Sequence, residues 1–169
     1  MRKELEGNAF VFGKNIDTDQ IYPGRYLELV KPEEIAAHCM EGADPEFASR
    51  MKPGDIIVAA TNFGCGSSRE HAAITINHAG VSVVLAESFA RIFYRNAINL
   101  ALPLMVCPGI SQKVNDGDRL NVNLETGQVV NRTTGETIQG EKISEYAMNI
   151  LEHGGIKPLF REKIKNKEI

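Results

Sequence analysis

The sequence has no tryptophan and only 7% aromatic residues, and its three cysteines, Cys39, Cys65 and Cys107, are scattered with no C-x-x-C pair among them. Scattered thiols, odd in number, exclude a disulfide framework and point to a reducing, cytoplasmic setting. They also exclude an iron–sulfur cluster held by this chain, which needs three or four thiolates in a characteristic grouping. No apolar run is long enough to cross a bilayer, and the opening Met1-Arg-Lys-Glu-Leu-Glu6 lacks the apolar stretch of a secretory leader. With a net charge of −3 and no basic stripe interleaved with aromatics, nucleic acid gains no electrostatic foothold. Repeats and low-complexity segments are absent too.

What is present suffices for one core: 169 residues, 43% of them hydrophobic. A single domain over 1–169 is expected, with its core at about 8–160. Residues 161–169, where Arg161 to Lys167 mix with Glu162 and Glu168, read as a polar, solvated tail.

The chain punctuates itself clearly. Asn8 to Phe12 reads as a first strand, followed to Arg25 by a loop dense in Asp, Asn, Pro and Gly. Pro32 to Met40 starts a helix with proline in its first turn and acids near its positive end. Asp55-Ile-Ile-Val-Ala-Ala60 is a β-branched run of strand length, and Val81 to Leu85 and Leu104 to Cys107 are two more strands. Helices lie between them, one ending at Gly80 and one that Ser88 caps and Pro103 follows. Strand, helix, strand, helix, strand is the grammar of a parallel sheet. From Arg119 to Glu141 short alternating runs, separated by Glu-Thr-Gly and Thr-Gly-Glu, predict an antiparallel β appendage. A last amphipathic helix, Ser144 to His153, ends at Gly154-Gly155.

Chemistry concentrates in Asn62-Phe-Gly-Cys-Gly-Ser-Ser-Arg-Glu-His71, at the junction of the central strand with the next helix. Gly64 and Gly66 permit close backbone approach, free N–H groups at a helix start suit an anion, and Arg69 adds a two-donor fork for a carboxylate or phosphate. A second reading stays open, in which Ser67 and Glu70 form a capping box and serve only the helix. A dinucleotide fingerprint would need glycine at Arg69, and a phosphate loop would need Gly-Lys-Ser/Thr, so a nucleotide pocket is not expected. Cys65 reads as a helix-start thiol or as a small filler. His71 and His78 are spaced too widely to bind metal as a pair, and Arg91 and Arg95 read as surface or interface charges.

Three motifs in order carry a resemblance: Asn15-Ile-Asp-Thr-Asp-Gln-Ile-Tyr-Pro-Gly-Arg-Tyr-Leu27, then Gly64 to His71, then Ala86-Glu-Ser-Phe-Ala-Arg-Ile-Phe-Tyr-Arg-Asn-Ala-Ile-Asn99. From about Phe10 to Phe160 the chain resembles the small subunits of 3-isopropylmalate dehydratase, the aconitase swivel domain as a separate polypeptide. The resemblance implies an α/β fold, the three-layer β/β/α swivelling domain, with the antiparallel appendage and the final helix attached. It implies a hydro-lyase that removes and re-adds water on an alkylmalate through an unsaturated intermediate such as isopropylmaleate, in leucine biosynthesis. It also implies a large partner subunit that carries a [4Fe-4S] cluster, without which this chain is silent.

By motif position the resemblance makes Ser67 the residue that takes the substrate proton as an alkoxide, and Ser68 and Arg69 ligands of a substrate carboxylate. Asp19 matches the aspartate of the family's Thr-Asp-His element, with Gln20 in place of the histidine. From the residues alone, Asp17 or Asp19 reads equally as the start of an Asx turn. Substrate choice falls to the segment after Tyr26-Leu27. There Glu28, taken as buried, argues against the extra carboxylate of homocitrate, and Leu29 and Val30 suit an isopropyl group. Related activities toward 2,3-dimethylmalate or citramalate, and a carboxylate-binding module without turnover, remain as alternatives.

Overall fold

Three short apolar runs, one long mixed strand and three short alternating strands build a single sheet. The computed structural model describes residues 1–166. Its strands are β1 (Glu4–Val11), β2 (Ile56–Ala59), β3 (Val83–Ala86), β4 (Leu104–Val106), β5 (Arg119–Asn123), β6 (Gln128–Asn131) and β7 (Thr137–Gln139), in the order β4-β3-β2-β1-β5-β6-β7. The helices are α1 (Thr18–Ile21), α2 (Pro32–Ala36), α3 (Phe47–Arg50), α4 (His71–Ala79), α5 (Arg91–Asn99), α6 (Glu145–Glu152) and α7 (Ile156–Lys165). Strands β1 to β4 are parallel, joined through helices as the sequence grammar predicts, and β5 to β7 are antiparallel.

Strand β1 is the seam. Its Ala9–Val11 end pairs in parallel with Ile56–Val58, while Glu4–Asn8 pairs antiparallel with Asn123–Arg119. The strand therefore begins earlier than the expected Asn8. Gly7 obscures its alternation, and it is needed there because a Cβ would sit 2.2 Å from the Gly54 carbonyl oxygen.

Period-two alternation sorts the fully buried central strands onto two faces. Ile57, Ala59, Val84, Ala86 and Leu104 pack with Phe47, Ala73, Ile76 and Phe93 on the helical side. Ile56, Val58, Val83, Leu85 and Met105 pack on the other side against Leu120, Val122, Val129 and Ile138. The antiparallel half thus folds back over the parallel half, giving β/β/α layers. The expected appendage is instead the third layer of the core and a continuation of the sheet through β1.

Three helix expectations change. The segment Pro32 to Met40 is helical only to Ala36, with proline in its first turn, and then passes through turns to Met40 at a φ of 58°. Ala90, not Ser88, is the N-cap of α5. Arg161 to Lys165 of the expected tail continue α7, whose Leu159 packs with Ile98, Ile150 and Leu151. Residues 167–169 of that tail lie outside the described residues. Helix α6 begins as read, with Ser144 accepting the Ala147 N–H at 3.1 Å. No helix among the described residues is long and apolar enough to cross a membrane.

Candidate active site

The carboxyl ends of β1, β2 and β3 release three loops that keep pairing after the strands stop. Asn15 N–H donates to Thr61 O at 2.8 Å, Gly64 N–H to Ile16 O at 2.8 Å, and Thr18 N–H to Cys65 O at 2.8 Å. On the other side, Phe63 N–H donates to Ser88 O at 3.0 Å and Ala90 N–H to Phe63 O at 2.9 Å. The loop Asn62 to Glu70 is therefore clamped between the other two motifs, and all three meet at one edge, where parallel sheets place their sites.

Local chemistry explains why this backbone needs its residues. Asn62, Gly64 and Gly66 all have positive φ, at 63°, 86° and 103°. A Cβ on Gly64 would lie 2.3 Å from Cγ of Phe93, whose buried ring meets Phe63 edge-on at 5.3 Å. Asn62 N–H donates to Ser88 Oγ at 2.8 Å, and Asn96 Nδ2 donates to Ser68 O at 3.3 Å. The stretch Ala86 to Asn99 is thus the bed under the Ser67 loop. Ser88 serves that loop instead of capping α5.

Ser67 is exposed and caps nothing. Helix α4 starts at His71, with Glu70 as N-cap and no side-chain cap bond, so the Ser67–Glu70 capping box does not form. The residues expected at the helix start are held in a preceding loop, in which the N–H groups of Ser68 and Arg69 have no acceptor among the described residues. The box forms elsewhere: Asp17 accepts the Gln20 N–H at 2.8 Å and Gln20 Oε1 accepts the Asp17 N–H at 3.0 Å, capping α1. Gln20 has this duty where the resembled family carries histidine.

Helix α1 meets the serine loop at two consecutive residues. Thr18 Oγ1 lies 3.2 Å from Ser67 Oγ and accepts the Ser67 N–H, also at 3.2 Å. Asp19 Oδ1 accepts the Gly24 N–H at 2.8 Å and lies 3.9 Å from Arg69 Nη1. Asp17 and Asp19 each serve a turn, and Asp19 also faces Arg69. Arg69 Nη1 is buried and has no hydrogen-bond partner among the described residues. With Asp19 69% exposed in its side chain, that pairing is solvent-screened and weak, so the guanidinium stays available to a second carboxylate.

The other expected contributors stand apart. Glu28 is exposed, contrary to the expected burial, so water screens its charge. Val30 is 82% exposed and Leu29 half-buried, so this chain alone does not close an apolar pocket around them. Their loop is tethered by Tyr26: its carbonyl accepts the Tyr22 hydroxyl at 2.6 Å, and its ring stacks on His38 at 3.6 Å. His71 stacks on Tyr22 at 5.5 Å. Arg91 and Arg95 line a groove of about 360 Å³ with Tyr94, Tyr146 and Phe160, which holds none of the expected site residues.

The thiols are disposed against joint ligation. Cys39 belongs to the helical side of the core and Cys107 to the opposite side, and burial pushes each thiol up to about 12. Only Cys65 lies in the serine loop, and among the described residues no three His, Cys, Asp or Glu side chains gather as a metal site. The donors present do not fit an iron–sulfur cluster on this chain. Reading from the sequence missed Thr18, although it sits beside Asp19 in the same motif; only the folded loop shows what its hydroxyl touches.

Residues 18–108 match the aconitase C-terminal domain family. The isopropylmalate/citramalate isomerase small subunit of Methanocaldococcus jannaschii is 57% identical over 99% of this chain and all of its own length. A 3-isopropylmalate dehydratase small subunit of Methanopyrus kandleri is 55% identical over 96% of each chain. The crystal structure of a 3-isopropylmalate dehydratase from Methanocaldococcus jannaschii superposes with a TM-score of 0.91, at 42% identity, covering 98% of this chain and 99% of that one.

Proposed function

We infer the function from one premise: the chain belongs to the dehydratase small subunits built on the aconitase C-terminal domain. We propose that it is the small subunit of a two-subunit cytoplasmic hydro-lyase that interconverts 2-isopropylmalate and 3-isopropylmalate through isopropylmaleate. The observation that carries this reading is an exposed serine freed from any cap and held by α1 beside an arginine with a buried, unpartnered nitrogen.

In this reading Arg69 and the free N–H groups of Ser68 and Arg69 bind a substrate carboxylate. Neutralising that carboxylate makes the adjacent C–H more acidic. Ser67 Oγ, as the alkoxide, takes that proton. The electron pair left behind becomes the C=C bond as the neighbouring hydroxyl leaves as hydroxide, which with the proton taken by Ser67 makes up the water removed. Re-addition with hydroxyl on the carbon that lost the proton and the proton on the carbon that lost the hydroxyl completes the isomerisation. Asp19 holds the Gly24 turn and faces Arg69, which keeps the guanidinium aimed at the substrate. Glu28, Leu29 and Val30, exposed in this chain, supply one wall of a pocket whose other wall is the large subunit.

The [4Fe-4S] cluster belongs, in this proposal, to that large subunit, because this chain lacks a donor set for it. A second reading widens the substrate range to citramalate, since the Methanocaldococcus jannaschii relative at 57% identity carries both substrates in its name.

The test is anaerobic reconstitution with the large subunit, following alkene absorbance with 3-isopropylmalate and, in parallel, citramalate, 2,3-dimethylmalate and homocitrate. Turnover of 3-isopropylmalate that falls about 10³-fold or more in Ser67→Ala is the expected result. Turnover of citramalate alone keeps the mechanism and moves the substrate. Binding without turnover of any of the four, in a formed complex with an intact cluster, overturns the assignment.

A further inference from the structure

The Ser67 hydroxyl touches one other side-chain group among the described hydrogen bonds, and that group is Thr18 Oγ1. Thr18 is only 4% exposed, the first residue of α1, with its backbone N–H tied to Cys65 O. A hydroxyl has one proton to give and two lone pairs to accept with. The Ser67 N–H must be the donor in its 3.2 Å contact with Thr18 Oγ1, so that contact uses a lone pair of the threonine and leaves its proton free. No described carbonyl or carboxylate takes that proton, and Ser67 Oγ stands within reach of it at 3.2 Å, in a contact where either hydroxyl can be the donor while both carry their protons.

We propose that Thr18 is the positioning residue of the reaction: its hydroxyl accepts the Ser67 N–H to fix the serine and donates its own proton to Ser67 Oγ when that oxygen is an alkoxide. The proposal rests on the function proposed above and deepens it. An alkoxide cannot donate, so the ambiguous contact resolves in that state with threonine as the donor. The buried donor is set before reaction and needs no reorganisation at the moment of proton transfer. The arrangement also accounts for Gly66, where a Cβ would stand 3.1 Å from Thr18 Oγ1, tight enough to press the threonine away from the serine.

The chemistry is proton bookkeeping only. Thr18 keeps its proton throughout; the substrate proton goes to Ser67 and returns from it. The charged groups around the pair, Asp17, Asp19 and Arg69, are the same in every variant, so differences between variants report the hydroxyl alone.

The experiment compares wild type, Thr18→Val, Thr18→Ser and Ser67→Ala as reconstituted complexes, on whichever of the four malates the wild type turns over. Co-purification with the large subunit confirms that each variant is assembled; if Thr18→Val does not assemble, Thr18→Ala is read in its place. The expected result is a kcat about 10²-fold lower in Thr18→Val with KM little changed, and recovery of most of it in Thr18→Ser. Losing a donor to the alkoxide raises the pKa of Ser67. The ascending limb of kcat/KM therefore moves to higher pH in Thr18→Val, by about two units for a 10²-fold loss, and returns in Thr18→Ser.

Thr18→Val within about twofold of wild type, or Thr18→Ser as damaged as Thr18→Val, overturns the role of Thr18 and leaves the proposed function standing. A loss of kcat with an unmoved pH profile also overturns it, since that is what packing alone would produce. A wild-type complex that turns over none of the four malates overturns the proposed function, and the role of Thr18 with it.

Discussion

The two halves of the sheet end in loops of opposite character. In the antiparallel half each hairpin closes on itself: Asn123 Oδ1 accepts the N–H groups of Glu125 and Thr126 before Gly127, and Asn131 Oδ1 accepts those of Thr133 and Thr134 before Gly135. In the parallel half the loops after β1, β2 and β3 bond to one another, and hold three positive-φ residues in the short span from Asn62 to Gly66. A closed hairpin satisfies its own polar groups and has nothing left to offer. The mutually bonded loops leave an exposed serine, free N–H groups and an unpartnered arginine nitrogen at their meeting point. The difference comes from topology, because parallel strands send every loop to the same edge.

The sharpest way to break this contrast is Gly64→Ala. The new methyl would meet the Phe93 ring at 2.3 Å and sit at a φ of 86°, so the serine loop must shift. Turnover by the assembled complex is expected to fall about 10²-fold or more, because a misplacement of about 1 Å in a positioned group costs that much. Activity near wild type would mean that the loop is not held as tightly as the parallel half requires.

The second change strikes the other half. Leu120→Ala empties part of the core between the two β layers, where Leu120 is fully buried. Denaturant unfolding is expected to lose about 2–5 kcal/mol, while kcat per assembled complex stays within about twofold. A large fall in kcat would show that the antiparallel half contributes to the site rather than only to its support.

The smallest effect is expected at Gly135→Ala. Nothing lies within 4 Å of a Cβ there, so only the left-handed φ of 82° is penalised. A cost of about 1 kcal/mol with unchanged turnover is expected, checked by the same unfolding curves and assay. Equal damage at Gly64 and Gly135 would erase the distinction between the two halves.

Much of this contrast is legible in residues. The β-branched runs Ile56–Ala59 and Val83–Ala86 fix parallel strands by being apolar on both faces, and Gly127 and Gly135 mark hairpin turns by allowing left-handed backbone. The pairing of Gly64 and Gly66 with Ser67, Ser68 and Arg69 marks the loop to which the proposed chemistry is assigned. The capping box shows where such reading stops. Ser67-x-x-Glu70 and Asp17-x-x-Gln20 are both credible boxes, yet only the second forms. Gly64 and Cys65 bond to Ile16 and Thr18 from a distant segment, which holds the chain in a bent, non-helical loop through Ser67 and delays α4 to His71. Long-range pairing overrode the local signal. Glu28 fails for a related reason: exposure depends on what covers a loop, and none of the described residues covers it.

By itself the sequence determined the succession of the strands, the helices α4, α5 and α6 between and after them, the hairpin turns and the family of the chain, because these follow from local backbone preference, periodicity and residue chemistry. Tertiary structure alone decided that β1 is shared by both halves of the sheet, that the antiparallel strands form a core layer, that Ser67 is free of a cap, and that Thr18 reaches it. Each of those depends on contacts between segments far apart in the chain, and a one-dimensional pattern carries no distance between them.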